Sequence, residues 1–509
     1  MFSLKIRSKF IKGIAIDSFL ENTKDIVQGA LPSVLRLPLT AKETQDTPSI
    51  HMIPVIEIGA HILKGQLIAT DHKTAYIHAP TSGTIRKIAS FPIGYTTEFA
   101  LQPMLSVTYR QQLTDCIEIV PDGKDESIEY IPIDWKNCSP IDLYQRIIQS
   151  GISVNTTFLH QPQTNTIPTL KTLIINATEC EPHIQISGVL MGEQAALLIK
   201  GIAIVAKLFS AQNVWIATHE KQTLTQKKLK EAIDHLSSDF EIKPQIVTVP
   251  AKYPLGHPSV LIQQLTGIEV TDQTNFQEIQ EMKVACFEST TLIAIQRAVI
   301  KGQPFISRTV HLTGRALLKP GHYEMLIGTS LSEALDQAAL KPHKLHRLIM
   351  GSAMTGTSLE DASIPITKKT TAIIAATEVE MPTIPQEQPC IRCGQCEPAC
   401  PVNLLPDVLY RTTKAQLIEQ ADNNRLLDCI ECGACAAVCP SHIPLVGYFQ
   451  FAKQQIQKTE ITQKEKDLAR IRFEQRTQRI EKEKTLKEIQ RQQRRQTATA
   501  NRIAIDTTI

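Results

Sequence analysis

At 509 residues, 42% hydrophobic and 21% charged, the chain has a globular composition and the length of about three or four domains. Its net charge is only +3, yet residues 453–495 hold 14 Lys/Arg against 7 Asp/Glu, which leaves the rest of the chain at −4. The basic excess belongs to one tail and not to a nucleic-acid-binding face, so no nucleic-acid partner is expected. The N-terminus has no apolar core of signal-peptide length, and no stretch reaches the roughly 18 apolar residues of a transmembrane helix. A soluble or peripheral protein in a reducing compartment is expected.

Residues 1–45 read as an extended N-terminal segment, punctuated by Pro32 and Pro38. Over 46–125 short apolar runs alternate with turns at Gly59, Gly65 and Gly83, which predicts a β-sandwich. This stretch is similar to lipoyl and biotinyl carrier domains (barrel-sandwich hybrids), which carry a modifiable lysine at a hairpin tip. Lys73 stands in D-H-K-T and not in the E-x-D-K or M-K-M settings of those carriers, so the module reads as structural.

Over 130–300 the period changes. A short helix around Leu143–Gln149 is followed by strands at Thr172–Asn176, Asn213–Ala217 and Gln245–Val249, which alternate with helices at Gly188–Phe209 and Lys221–Leu236. That alternation predicts a layered α/β domain with a largely parallel sheet. Ligands of such sheets bind beyond the carboxyl ends of the strands. A-T-E-C-E-P-H stands there, and Glu179 and Glu181 suit ribose hydroxyls or a flavin edge as well as they suit a solvated acidic loop. Residues 301–345 return to β character and predict a compact β-grasp module. Residues 346–384 read as a connecting segment with one strand, Thr371–Thr377, inside it. Cys116, Cys138, Cys180 and Cys286 are scattered and read as small buried hydrophobes.

Residues 385–448 carry the chemistry. Cys390–Pro401 and Cys429–Pro440 each read C-x2-C-x2-C-x3-C-P, the spacing of bacterial two-cluster ferredoxins. Three close cysteines turn their thiolates onto one iron–sulfur cube, and the fourth closes the other cube. The expected ligands are Cys390, Cys393, Cys396 and Cys439 for one [4Fe-4S] cluster, and Cys400, Cys429, Cys432 and Cys435 for the second. Zinc ribbons also pair C-x2-C motifs, but they need four ligands per site and have no use for the x3-C-P extension. Disulfides suit small secreted chains, which this is not. The polar tail, 449–509, does not sustain a heptad through Ile456, Leu468, Ile471, Ile480 and Leu486, so a solvated helix or disorder is expected. Its charge suits an anionic membrane surface, at about 1 kcal/mol per nearby Lys or Arg, or plain solubility.

With these residues in view, the chain resembles the RnfC/RsxC family of the Rnf/Rsx ion-translocating electron transport complexes. The resemblance rests on A-P-T-S-G-T (79–84), L-I-I-N-A-T-E-C-E-P (173–182), K-Y-P (252–254), R-A-V-I-K-G (297–302), V-H-L-T-G (310–314) and both cysteine runs, in family order. It implies a multidomain α+β fold: a lipoyl-like β-sandwich, an α/β domain like the FMN- and NADH-binding subunit of respiratory complex I, a β-grasp module of the SLBB kind, and a two-cluster ferredoxin-like domain. It also implies a peripheral subunit on the cytoplasmic side of the bacterial inner membrane. Such a subunit takes electrons from NADH through FMN and passes them over two [4Fe-4S] clusters to membrane partners.

The sequence departs from that family around one pocket. The family's G-G-A-G-F-P-T-G loop is G-I-S-V-N-T-T-F-L-H-Q-P (151–162), its Y-P-x-G-G turn is Y-P-L-G-H-P, and its N-V-G-T is F-E-S-T (287–290). Each lost glycine adds a Cβ where backbone must approach a cofactor. Two readings follow: an NADH-oxidising electron-transfer subunit, or a cluster-bearing scaffold whose α/β domain has lost FMN and NADH.

Overall fold

The computed structural model describes residues 12–15, 25–41, 50–101, 105–154, 167–178, 181–271, 281–383 and 385–506. Strands β1 (Ile14–Ala15) and β2 (Val27–Gln28) lead to β3 (Leu35–Pro38), β4 (Thr40–Ala41), β5 (Ile50–His51), β6 (Ile53–Pro54), β7 (His61–Ile62), β8 (Leu67–Thr70) and β9 (Tyr76–His78). The long hairpin β10 (Gly83–Leu101) and β11 (Leu105–Pro121) follows. Sheet β3-β11-β10-β7 faces sheet β6-β8-β9 across a core that includes Leu35, Leu37, Ile62, Ile68, Ile85, Ile117 and Ile119. The sandwich therefore reaches further toward the N-terminus than residue 46, because Leu35 and Leu37 alternate inward on a strand paired with β11. Lys73 does lie at a hairpin tip, between β8 and β9. There the Asp71 carboxylate accepts from the backbone N–H groups of Lys73, Thr74 and Ala75.

Helix α1 (Pro140–Gln149) is capped by Ser139, whose hydroxyl accepts from the Asp142 N–H. The α/β domain then runs β12 (Thr172–Asn176), α2 (Ser187–Glu193), α3 (Ala195–Leu208), β13 (Asn213–His219), α4 (Thr223–His235), β14 (Gln245–Val249), β15 (Lys252–Tyr253), α5 (Pro258–Thr266), β16 (Val284–Glu288) and α6 (Ser289–Ile300). Its sheet, β14-β13-β12-β16, is parallel throughout. The single helix expected over Gly188–Phe209 is two helices, α2 and α3, bent by 102° at a break. Both are buried in the domain core, and α3 approaches α6 so closely that a Cβ on Gly201 would stand 2.2 Å from the Leu292 carbonyl oxygen. Among the described residues no single helix is long and apolar enough to cross a membrane.

A mixed sheet, β2-β18-β17-β21-β19-β20, follows, from β17 (Ser307–Thr313), β18 (Gly321–Leu326), β19 (Arg347–Met350), β20 (Thr357–Leu359) and β21 (Ala372–Ala376), with α7 (Leu331–Gln337) packed on it. The expectation of a connecting segment over 346–384 is corrected here. Ala372–Ala376 is buried at every position and pairs with both β17 and β19, so it is an interior strand.

The cysteine-rich module holds α8 (Cys396–Ala399), α9 (Pro406–Lys414), α10 (Ile418–Asn423), α11 (Ala434–Ala437) and α12 (Leu445–Asp506). The tail thus forms one 62-residue helix continuous with the module. Its first three turns, through Ile456, enter the module's core with Tyr448, Phe449 and Ala452, and the hairpin tip of β10 and β11 packs on them through Leu101 and Leu105. Beyond that point the apolar side chains Ile461, Leu468, Ile471, Phe473, Ile480, Leu486 and Ile489 are exposed.

Candidate redox centre

The two cysteine runs fold as an internal repeat. Each residue of the first has its counterpart 39 positions on, Cys390 to Cys429 and Cys400 to Cys439. The backbone repeats with them. Arg392, Gly394 and Asn403 have φ of 55°, 74° and 58°, and Glu431, Gly433 and His442 have φ of 55°, 77° and 50°. A left-handed residue on each side of the middle cysteine curls both loops so that their thiols face one way. The helix after each run, α9 or α12, then starts at or just after a proline, Pro406 or Pro444.

Cys400, Cys429, Cys432 and Cys435, three from the second run and one from the first, wall a single cavity. Its other walls include Leu404, Leu409, Val446 and Phe449. The Leu404 N–H donates to Cys400 Sγ at 3.3 Å. Burial pushes the Cys429 and Cys432 thiols up to about 12 and about 11 and raises Cys435 as well. Thiolates here therefore need positive charge at the centre of the cavity, which the irons of a cluster supply. Four thiols around one apolar-walled cavity fit an iron–sulfur cube, and the x3-C-P extension of each run has no use in a zinc site. The second set is less enclosed: Cys393 is exposed, and Cys390, Cys396 and Cys439 are half-buried. Cys396 is close enough to Cys435 for their charges to interact, so the two sets are neighbours.

The inner loop docks on the α/β domain. The Tyr253 hydroxyl donates to the Cys432 carbonyl at 2.5 Å, and Cys432 and Ala434 share an apolar cluster with Val249, Tyr253 and Leu255. Sequence reasoning missed Tyr253, since its partner is 179 residues away. The loop thus meets the carboxyl ends of the strands, where nucleotide binding is expected. Glu179 and Cys180 lie outside the described residues, as does most of the segment in place of the glycine-rich loop. Glu181 is close to Cys432 and Tyr253. Burial raises its carboxyl, the Ser352 hydroxyl partly offsets this, and its Oε2 is buried without a hydrogen-bond partner. An orphaned acceptor at this edge fits a ligand hydroxyl or N–H. The neighbouring turn is spent internally. The Asn176 amide donates to the Gly256 carbonyl at 2.7 Å, and His257 Nδ1 lies 2.8 Å from Ser259 Oγ. Burial drives His257 down to about 4, so it offers no positive charge to a phosphate near neutral pH. Cys116 and Cys286 are buried, as expected of small hydrophobes, and Cys138 is half-buried.

A repeat of thiol loops seated on the edge of a parallel α/β sheet defines a dicluster iron–sulfur protein with a nucleotide-binding type of domain. Comparison with known proteins agrees. The RnfC barrel sandwich hybrid domain matches residues 8–108, the Nuo51 FMN-binding domain 153–297 and the 4Fe-4S dicluster domain 383–465. A Pseudomonas aeruginosa protein, named as the C subunit of an ion-translocating oxidoreductase complex, is 36% identical over 83% of this chain and 53% of its own length. Proteins of the same name from Haemophilus influenzae and Yersinia enterocolitica are 35% and 37% identical over 82% of this chain, and 62% and 58% of theirs. The chain belongs to this RnfC family, and it spans between half and two thirds of the length of these relatives. A crystal structure of an NAD+-reducing [NiFe]-hydrogenase in the H2-reduced state aligns at 14% identity and a TM-score of 0.45 over 64% of each chain.

Proposed function

We propose that this chain is the peripheral electron-relay subunit of a membrane-bound ion-translocating oxidoreductase complex, with other subunits of that complex as its partners on the cytoplasmic side of a bacterial inner membrane. Two [4Fe-4S] clusters carry the electrons, one held by Cys400, Cys429, Cys432 and Cys435 and the other by Cys390, Cys393, Cys396 and Cys439. The observation that carries this reading is the cavity walled by thiols from both halves of the repeat and seated against the carboxyl edge of the α/β sheet. The inner cluster then faces the domain through which electrons enter. The outer one, with Cys393 exposed, faces the partner that takes them.

The α/β domain would hold FMN, with Glu179 and Glu181 on the flavin or on the ribose of NADH. The flavin supplies the step from two-electron hydride chemistry to single electrons. Glu181 would accept a hydrogen bond through its orphaned oxygen, and Tyr253 would fix the inner loop against that edge. A second reading is favoured by the Asn176–Gly256 bond and the buried, neutral His257: a scaffold that keeps the relay but no longer oxidises NADH.

Visible spectroscopy of the anaerobically reconstituted chain with FMN, before and after NADH, tests both. Bleaching of flavin and iron–sulfur absorption together is the result expected of the first reading. Bleaching by dithionite alone leaves the scaffold. Absence of iron and acid-labile sulfide removes both.

A further inference from the structure

The two halves of the dicluster module match in backbone and differ in charge. Lys414 on α9 and Lys453 on α12 are counterparts, 39 positions apart. Lys414 Nζ lies 3.2 Å from Glu387 Oε1 and donates to the Tyr410 hydroxyl at 2.8 Å. Glu387 is itself buried and also accepts from the Tyr410 and Tyr448 hydroxyls. The outer lysine is therefore held by a carboxylate of its own. Lys453 turns toward the inner site instead. Its side chain is 12% exposed, it donates to the Cys429 carbonyl at 2.6 Å, and it lies 3.1 Å from Glu431 Oε1. The Gln450 amide donates to the other Glu431 oxygen at 2.7 Å, which spreads that carboxylate's charge away from the lysine. At a second pair of counterparts the outer half has Asp407, paired with Arg411 at 3.1 Å, where the inner half has Val446 on the cavity wall.

We propose that Lys453 sets the reduction potential of the inner cluster, its buried ammonium stabilising the reduced form of the cube held by Cys400, Cys429, Cys432 and Cys435. The proposal rests on the cluster reading above. One electron added to a cube on four thiolates raises its net negative charge by one, with no bond formed or broken. Apolar walls disfavour that added charge, and burial alone would make the inner cluster the harder one to reduce. A fixed cation beside the first ligand of the set opposes the penalty, because Coulomb attraction is strongest where water is excluded. The inner cluster can then accept an electron from the α/β side despite its burial.

The test is an EPR-monitored potentiometric titration of the reconstituted full-length chain, with iron and sulfide measured on the same samples. Lys453→Met should lower one midpoint and leave the other in place. The one that moves should be the midpoint whose signal Cys432→Ser alters. Lys453→Arg, which keeps the charge, should stay near wild type, and Glu431→Gln should raise the same midpoint. Intact clusters with unmoved midpoints in Lys453→Met would overturn the proposal, as would an Arg variant that shifts as far as Met. Where Lys453→Met fails to hold the cluster, Glu431→Gln decides, and an unmoved midpoint there overturns it. A wild-type chain without iron and sulfide fails at the cluster reading itself, and the proposal falls with it.

Discussion

Gly433 has φ of +77° beside the inner Cys432, and a Cβ there would stand 3.2 Å from the Met354 carbonyl oxygen. An L-residue in this conformation costs about 1–2 kcal/mol. Gly433→Ala should therefore lower the stability of the cluster-loaded chain by about that much, measured by urea denaturation. Gly94→Ala, with open space and no left-handed φ, should change it by less than about 0.5 kcal/mol. At this scale the two cysteine runs stand out in the sequence, because their repeated spacing is that of dicluster ferredoxins. Tyr253 and Glu387 were not. Nothing local marks a tyrosine whose partner is a carbonyl 179 residues on, or a glutamate that gathers hydroxyls from two helices. Glu181 is a candidate by its place after a strand, and its orphaned oxygen shows only in three dimensions.

Helix α12 is two things in one element. Through Ile456 it presents buried side chains to the module core, and from Gln457 to Arg495 nearly every residue is exposed. A chain ended after residue 457 should keep its iron content and its thermal midpoint, read by metal analysis and circular dichroism. One ended before Leu445 should lose both, because Tyr448, Phe449 and Ala452 complete the core. The spacing of its exposed leucines and isoleucines gives no heptad and no continuous seam. Other elements were misjudged for reasons of context. The apolar run 188–209 has no proline to break it, so periodicity gives one helix, and the bend at Gln194 comes from packing against the sheet and α6. Strand β21 is legible as a strand, but its place between β17 and β19 depends on pairing that no local pattern records.

The molecule as a whole is sensitive to acid through histidines held neutral in its joints. His78 and His311 are driven down to about 3 and His257 to about 4. Burial is the main cause, with Lys368 acting on His78 and His322 and His183 on His311. His311 Nδ1 accepts from the Gln185 N–H, which ties the six-stranded sheet to the α/β domain. In the unfolded chain each imidazole takes its proton near pH 6.5. Below that pH the unfolded state binds more protons than the folded one, so stability falls. This contribution is complete above roughly pH 6.5 and is lost progressively toward about pH 4. Denaturant midpoints measured from pH 7.5 to 4 should decline through that window, and a flat profile would contradict the assignment.

Short-range chemistry is what the residues alone specify. Cube geometry sets the cysteine spacing, the parallel sheet shows in its apolar runs, and the module order follows the chain. Which of these parts meet is settled only by folding. The fold put the inner thiol loop on the carboxyl edge of the sheet, gave one lysine of a repeated pair to the inner site and the other to Glu387, and enlarged the β-sandwich and the mixed sheet beyond their expected bounds. The reason is that these contacts are made by side chains and strand edges far apart in sequence. Their local patterns are compatible with many partners, and only packing selects one.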